Sequence, residues 1–259
     1  MWVSVVALGV MQGLTEFLPI SSSGHLILLR TLFHLASAGA QWEVALHLGT
    51  LLAVVWVYRQ WIREWAVQLV RKDGTAWRLM WGLVVASVPA GIVGFGLGHW
   101  LEQLYIVQAA ALGWLCTAVL LWVTPSAPKP EKGRSLDQLT LWDAWLVGLA
   151  QALSLWPGLS RSGSTIAMAR ALGLDGESAA QFSFLMAIPA VLGATAFEWP
   201  QAQQHGLPWT AVLVGVLVAA ISGMIAIQWV RKVVQHRWAW RGFSAYLVGL
   251  AVAALRFGG

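Results

Sequence analysis

The chain of 259 residues is 58% hydrophobic and only 10% charged, with a mean hydropathy of +0.68, against about 25% charged residues in an ordinary soluble protein. This composition excludes a soluble enzyme and reads as a single integral membrane domain over residues 1–259, with no segment set apart as a soluble unit. The formal charge of +5 does not mark a nucleic-acid binder, because twelve of the sixteen Lys and Arg fall in three short stretches between apolar runs.

In chain order, Met1 to Met11 is apolar, lacks a basic leader region and a clear small-residue cleavage site, and is read as part of the folded chain. It leads into the polar stretch Gln12 to His25. Apolar runs at roughly 41–58, 79–98, 105–123, 178–199, 209–230 and 242–257 then predict six crossings. The links that follow the first, third and fifth of these hold the basic residues: Arg59, Arg63, Arg71, Lys72 and Arg78; Lys129, Lys132 and Arg134; Arg231, Lys232, Arg237 and Arg241. The positive-inside rule makes those three links cytoplasmic and leaves 99–104 and 200–208, which carry no Lys or Arg, outside. Arg256 at the expected outer end is a minor dissent.

That assignment requires residues 141–177 to leave the cytoplasmic side and return to it, so the segment is expected to be re-entrant. Residues 1–40 either cross once or dip in and return, and an internal repeat decides between these. Gln12-x-Leu14-Thr15, Pro19 and Ser21-x-Ser23-Gly24 line up with Gln151-x-Leu153-Ser154, Pro157 and Ser160-x-Ser162-Gly163, allowing one gap. The expected fold is therefore an all-α polytopic membrane protein: six transmembrane helices plus two re-entrant helical hairpins in an inverted-topology repeat. Its halves span about 1–123 and 141–259, joined by the cytoplasmic loop 124–140. Inverted repeats of this kind place a site near the midplane, where broken helices meet.

The two hairpin loops carry the chemistry. Pro19 with Ser21, Ser22, Ser23 and Gly24, and Pro157-Gly158 with Ser160, Ser162, Gly163, Ser164 and Thr165, supply small hydroxyl and glycine residues. Such loops let successive N–H groups converge on an anion at a helix start; as simple helix breaks they would only supply Ser caps. Arg161 adds a guanidinium whose planar fork matches phosphate oxygens and whose burial in a membrane is costly without an anionic partner. Glu16 is the other group that could pair with it. Gln12 and Glu16, four residues apart, share a helix face and offer hard oxygen donors suited to magnesium or calcium, completed by substrate phosphate. His25 lies three residues beyond Ser22, close enough to activate a hydroxyl or water, attack phosphorus, or protonate a leaving phosphate.

Other residues read as structural. Many of the eighteen Trp, among them Trp42, Trp61, Trp65, Trp77, Trp100, Trp199, Trp209 and Trp229, stand near run ends and suit anchoring at the lipid–water interface. Cys116 is the lone cysteine, so no internal disulfide or cysteine metal cluster forms. Glu43 and His47 read as an interfacial pair, and Asp175 and Glu177 as caps of the helix that follows. Arg170 and Glu198 are ambiguous.

At Gln12 to His25, at Trp156-Pro-Gly-Leu-Ser160-Arg161-Ser-Gly-Ser-Thr165 and at Gln181-Phe-Ser-Phe-Leu, the chain resembles the undecaprenyl-diphosphate phosphatase family of the bacitracin-resistance type, over nearly its whole length. The resemblance implies hydrolysis of undecaprenyl diphosphate to the monophosphate and inorganic phosphate, recycling the cell-wall lipid carrier. It also implies a divalent cation and a multi-pass protein of the bacterial inner membrane whose site is reached from the outer face. On this pattern Glu16, Ser22, His25 and Arg161 are the catalytic residues. Gln12 and Glu16 form the metal element, and Ser21, Ser23, Gly24, Ser160, Ser162, Gly163, Ser164 and Thr165 bind substrate. Gln12 is the neutral variant of its position and weakens any two-carboxylate metal scheme.

Expected partners are the lipid diphosphate and the bilayer, without nucleic acid, in a monomer or homodimer. A transporter or flippase for polyprenyl phosphate is the alternative that the repeat encourages. The phosphatidic-acid type 2 phosphatase pattern does not fit, since Ala167 and Ala171 stand where that pattern needs a histidine and an aspartate.

Overall fold

A computed structural model describes residues 2–32, 39–124, 133–202 and 208–257. Among these residues its regular structure is helical, apart from an isolated β-bridge. The helices are α1 (Trp2–Phe17), α2 (Ser22–Leu32), α3 (Gly39–Val57), α4 (Arg59–Val70), α5 (Gly74–Gln103), α6 (Val107–Val123), α7 (Leu141–Leu153), α8 (Arg161–Ala171), α9 (Gly176–Ala202), α10 (Trp209–Val233) and α11 (Arg237–Phe257). Each of the six expected crossings coincides with one helix: α3, α5, α6, α9, α10 and α11. Among the described residues four helical stretches are long and apolar enough to cross a membrane: Gly74–Gln103, Gly176–Ala196, Trp209–Val233 and Arg237–Arg256.

The helices of the two motif segments are short. At about 1.5 Å per residue, the 16 residues of α1 and the 11 each of α2 and α8 fall short of the roughly 30 Å hydrocarbon core. Each pair folds as a helical hairpin, α1 with α2 and α7 with α8. Pro19 and Pro157-Gly158 follow the first helix of each pair, and the second begins at Ser22 in one and at Arg161, capped by Ser160, in the other. The two turns touch: the Ser162 hydroxyl donates to the Leu18 carbonyl at 2.8 Å.

Glycines allow the first helix of each hairpin to lie close on a long helix. A Cβ at Gly13 of α1 would stand 2.5 Å from the Ala219 carbonyl of α10, and one at Gly148 of α7 would stand 2.5 Å from the Ala86 carbonyl of α5. Around the two hairpins, α3 packs on α9 and α10, and α6 pairs with α11. The core between them holds Phe17, Trp114, Phe182, Phe184 and Leu185, all fully buried.

Two features depart from the sequence expectation. The basic link 59–78 is expected to be a loop but contains α4, which buries none of its residues and is followed by Asp73, the cap of α5. Its composition explains this: Arg, Gln, Glu, Ala and Leu are strong helix formers, and no Gly or Pro interrupts them. Trp42, expected at the interface, is buried and closes on Gly215 of α10, whereas Trp77, Trp100, Trp209 and Trp229 are exposed on the outside. Lys129, Lys132, and the side chains of Glu43, Glu198 and Trp199 lie outside the described residues.

Candidate active site

Glu16, next to the end of α1, is the hub of the site. Its Oε1 accepts from Arg161 Nη2 at 2.7 Å; its Oε2 accepts from Ser22 Oγ at 2.6 Å and from Gln12 Nε2 at 3.1 Å. The carboxylate is buried, and His47 of α3 brings its Nε2 to 3.6 Å from the same Oε2. His47 therefore faces the carboxylate. The ion pair between Glu16 and Arg161 joins residues 145 apart in sequence and ties one hairpin tip to the other.

Ser22 and Arg161 are each the first residue of their helix, α2 and α8. In the repeat alignment they also occupy the same position, one residue after Ser21 and Ser160. The positive ends of both helices thus lie at the two side chains that meet on Glu16, a favourable setting for an anion. Arg161 is aimed by α9: its Nη1 donates to the Ser183 carbonyl at 2.9 Å, and Thr165 shares a 2.6 Å hydroxyl contact with Ser183. A guanidinium has five N–H donors, so these two bonds leave part of the fork for phosphate oxygens.

A cavity of about 230 Å³ opens beside this cluster. Glu16, Ser21, Ser22, Ser23, Ser160 and Arg161 line it, together with His47, and Ala90, Ala190, Val191 and Ala194 form an apolar wall. The remaining expected binding residues do not line it. Ser162 bonds the Leu18 carbonyl, Thr165 braces Ser183, and Gly163 donates its N–H to the Ser160 hydroxyl, which caps α8. The Ser164 hydroxyl is buried without a partner, and Gly24 lies beneath the Trp114 indole, where a Cβ would stand 2.6 Å away. Buried and unpartnered in the cavity wall is Gln151, both of whose amide atoms lack a hydrogen-bond partner. Its equivalence to Gln12 in the repeat was the sequence signal for it.

His25 is placed differently from its motif neighbours. Its Nδ1 lies 2.7 Å from the Ser21 carbonyl and its Nε2 lies 2.8 Å from the Tyr246 hydroxyl of α11. The ring is bounded by the edge of Trp114 and stacked near Tyr246, and it does not line the cavity. Ser21 itself adopts φ 67°, a left-handed backbone that a residue with a Cβ rarely takes. Tyr246, His47, Ser183 and Gln151 all belong to the site's surroundings; Gln151 stands in the repeat and Ser183 in the Gln181-Phe-Ser-Phe-Leu run, whereas Tyr246 and His47 carry no motif signal.

Among the described residues no group of three or more His, Cys, Asp or Glu is gathered to hold a metal ion. The oxygen donors that remain are the Glu16 carboxylate and Gln12 Oε1, which is buried and has no hydrogen-bond partner. Two such donors fit a hard cation that takes the rest of its shell from water and phosphate. Of the other residues considered, Asp175 caps α9 through the N–H groups of Glu177 and Ser178, and Glu177 pairs with Arg231. Arg170 is buried, donating to the Val234 carbonyl at 2.7 Å.

Residues 5–253 match the family described as bacitracin resistance protein BacA. Proteins named undecaprenyl-diphosphatase are similar over nearly the full chain. That of Corynebacterium glutamicum is 40% identical, covering 98% of this chain and 90% of its own. That of Desulfatibacillum aliphaticivorans is 37% identical with 99% of each covered, and that of Thermomicrobium roseum is 39% identical with 98% and 96% covered.

Proposed function

Because this chain belongs to the bacitracin resistance protein BacA family, we propose that it is an undecaprenyl-diphosphatase, hydrolysing the lipid diphosphate to undecaprenyl phosphate and inorganic phosphate. One observation carries the reading beyond the family: a serine hydroxyl hydrogen-bonded to a carboxylate at 2.6 Å, with an arginine on the other oxygen of that carboxylate, all beside an apolar-walled cavity. Such an arrangement matches phosphoryl transfer, which needs a positioned nucleophile and charge stabilisation on the transferred oxygens.

In this mechanism Ser22 Oγ attacks the terminal phosphorus and passes its proton to Glu16. The new O–P bond forms as the bridging P–O bond breaks, and undecaprenyl phosphate leaves. Water then cleaves the phosphoserine, giving inorganic phosphate and restoring Ser22. Arg161 and the first N–H groups of α2 and α8 bind the phosphoryl oxygens, with Ser21 and Ser23 around them. Gln151 offers its amide further along the wall. Glu16 and Gln12 are the residues to hold a magnesium or calcium ion, which when bound neutralises phosphate charge.

The same reading places one membrane domain in a bacterial inner membrane as six spans and two re-entrant hairpins of inverted orientation. Reciprocal packing supports it: α1 lies on α10 and α7 on α5, so each hairpin's first helix meets a long helix of the other half. Tyr105, in the Lys- and Arg-free link between α5 and α6, borders the cavity, which supports entry from the outer face.

The test is phosphate release from undecaprenyl diphosphate in detergent micelles by the wild type and by Arg161→Ala, with and without a chelator. The wild type is expected to release phosphate and the variant to lose at least about a thousandfold, the scale of an arginine acting on a transferred phosphoryl group. Equal rates for the two would remove the central electrostatic role of Arg161.

A further inference from the structure

The histidine of the motif has no free face toward the cavity, and the reason lies in α11. A carbonyl oxygen only accepts hydrogen bonds, so the 2.7 Å contact with the Ser21 carbonyl requires a proton on His25 Nδ1. In the neutral imidazole Nε2 then carries the lone pair, and the Tyr246 hydroxyl 2.8 Å away donates to it. Trp114 of α6 meets the ring at 5.5 Å between centroids and Tyr246 stacks on it at 5.8 Å with planes 8° apart. Helices α6 and α11, packed on each other, thus hold the imidazole in one orientation and one tautomer.

What that tautomer holds is the least comfortable backbone in the site. Ser21 is one of two non-glycine residues with positive φ among the described residues, the other being Lys72 in an exposed turn. A conformation of this kind persists only where its surroundings over-determine it. Here the His25 Nδ1–H bond holds the Ser21 carbonyl, and the Ser21 hydroxyl is bonded to that of Ser23 at 3.2 Å. The next residue is Ser22, whose hydroxyl points to Glu16.

We propose that Tyr246 is a positioning residue of this site: by donating to His25 Nε2 it fixes the Nδ1–H tautomer, which pins the left-handed Ser21 carbonyl and so aims the Ser22 hydroxyl at Glu16. The inference rests on the reading of Ser22 as nucleophile. It makes His25 a clamp whose essential atom is one donor N–H, and it links α11 to the loop between α1 and α2.

Four variants and one spectroscopic measurement test it. Tyr246→Phe keeps the ring and removes the hydroxyl; its kcat on undecaprenyl diphosphate is expected to fall about tenfold, with KM within twofold of wild type. In ¹⁵N-histidine-labelled protein in micelles, the wild-type His25 signal should be that of the Nδ1–H form, and in Tyr246→Phe it should move toward a mixture of tautomers. His25→Asn places an amide N–H where Nδ1–H stood, so it should retain at least a tenth of the activity, while His25→Leu retains less than a hundredth. Adding Tyr246→Phe to His25→Asn should then cost nothing more. Wild-type kcat and an unmoved ¹⁵N signal in Tyr246→Phe would overturn the proposal. So would a His25→Asn variant as inactive as His25→Leu, since that pattern belongs to an imidazole exchanging protons with substrate. The tautomer signal is read without substrate, so a wild-type protein that released no phosphate would refute the diphosphatase reading and leave this assignment to be judged on the spectrum.

Discussion

The two hairpin tips start from the same short motif and are stabilised by opposite means. At the second tip the backbone is relaxed where the helix begins: Ser160 has φ −68° and caps α8 in the ordinary way, its hydroxyl accepting from the Gly163 N–H. Neighbouring helix α6 braces the turn, Thr117 accepting from the Ser160 N–H at 3.0 Å and Trp156 donating to the Ala109 carbonyl. Its one left-handed residue is Gly158, for which that conformation is free of steric cost. At the first tip the left-handed residue is Ser21, and the brace is a side chain of its own helix, His25, in the place that Ser164 fills in the second. The first tip therefore spends stability to aim a hydroxyl, while the second is a rigid mount for a guanidinium.

That contrast can be broken in three places. The largest effect is expected from the two equivalent helix-start residues. Ser22→Ala should abolish phosphate release by about a thousandfold or more, whereas Arg161→Lys, which keeps the charge and loses the fork, should lower kcat about a hundredfold. Steady-state phosphate release in micelles measures both, and equal small losses would mean that the tips are not specialised. Next is Gly158→Ala, which puts a Cβ 2.0 Å from the Ala110 carbonyl at a residue with φ 83°. A loss of about 2–4 kcal/mol is expected, seen as a lower unfolding midpoint in detergent; an unchanged midpoint would show that the second tip is not rigid. Smallest is Ser160→Ala, which removes a helix cap for about 1 kcal/mol and should leave kcat within a fewfold of wild type. A collapse of activity there would give Ser160 a part in the chemistry.

Much of this architecture is legible in the chain because it depends on local composition. Proline, serine and glycine stop and restart helices where they stand, and long apolar runs become long helices, so both hairpins and all six long elements fall where the runs do. The pairing of Glu16 with Arg161 is legible too, since two opposite charges in so apolar a chain have few other partners. What escapes is contact between remote segments. Tyr246 is 221 residues from His25 and sits in an apolar helix where a tyrosine reads as an interface anchor. His47 is at helical spacing from Glu43, and nothing in that spacing reveals that α3 turns it toward α1. Ser183 stands in a motif, but its hold on Arg161 is through the carbonyl, which any residue has. Grouping His25 with Ser22 by proximity in sequence likewise says nothing about which way its ring turns.

The coincidence of Ser22 and Arg161 at one repeat position bears on how such a site could arise. Two identical half-length chains associating about a twofold axis would present the same side chain at both tips, either two hydroxyls with nothing to bind the phosphoryl group or two guanidiniums with nothing to attack it. A nucleophile facing its own electrostatic partner demands unlike halves. In one continuous chain the two positions are free to differ, as Ser22 and Arg161 do, and both side chains bond Glu16.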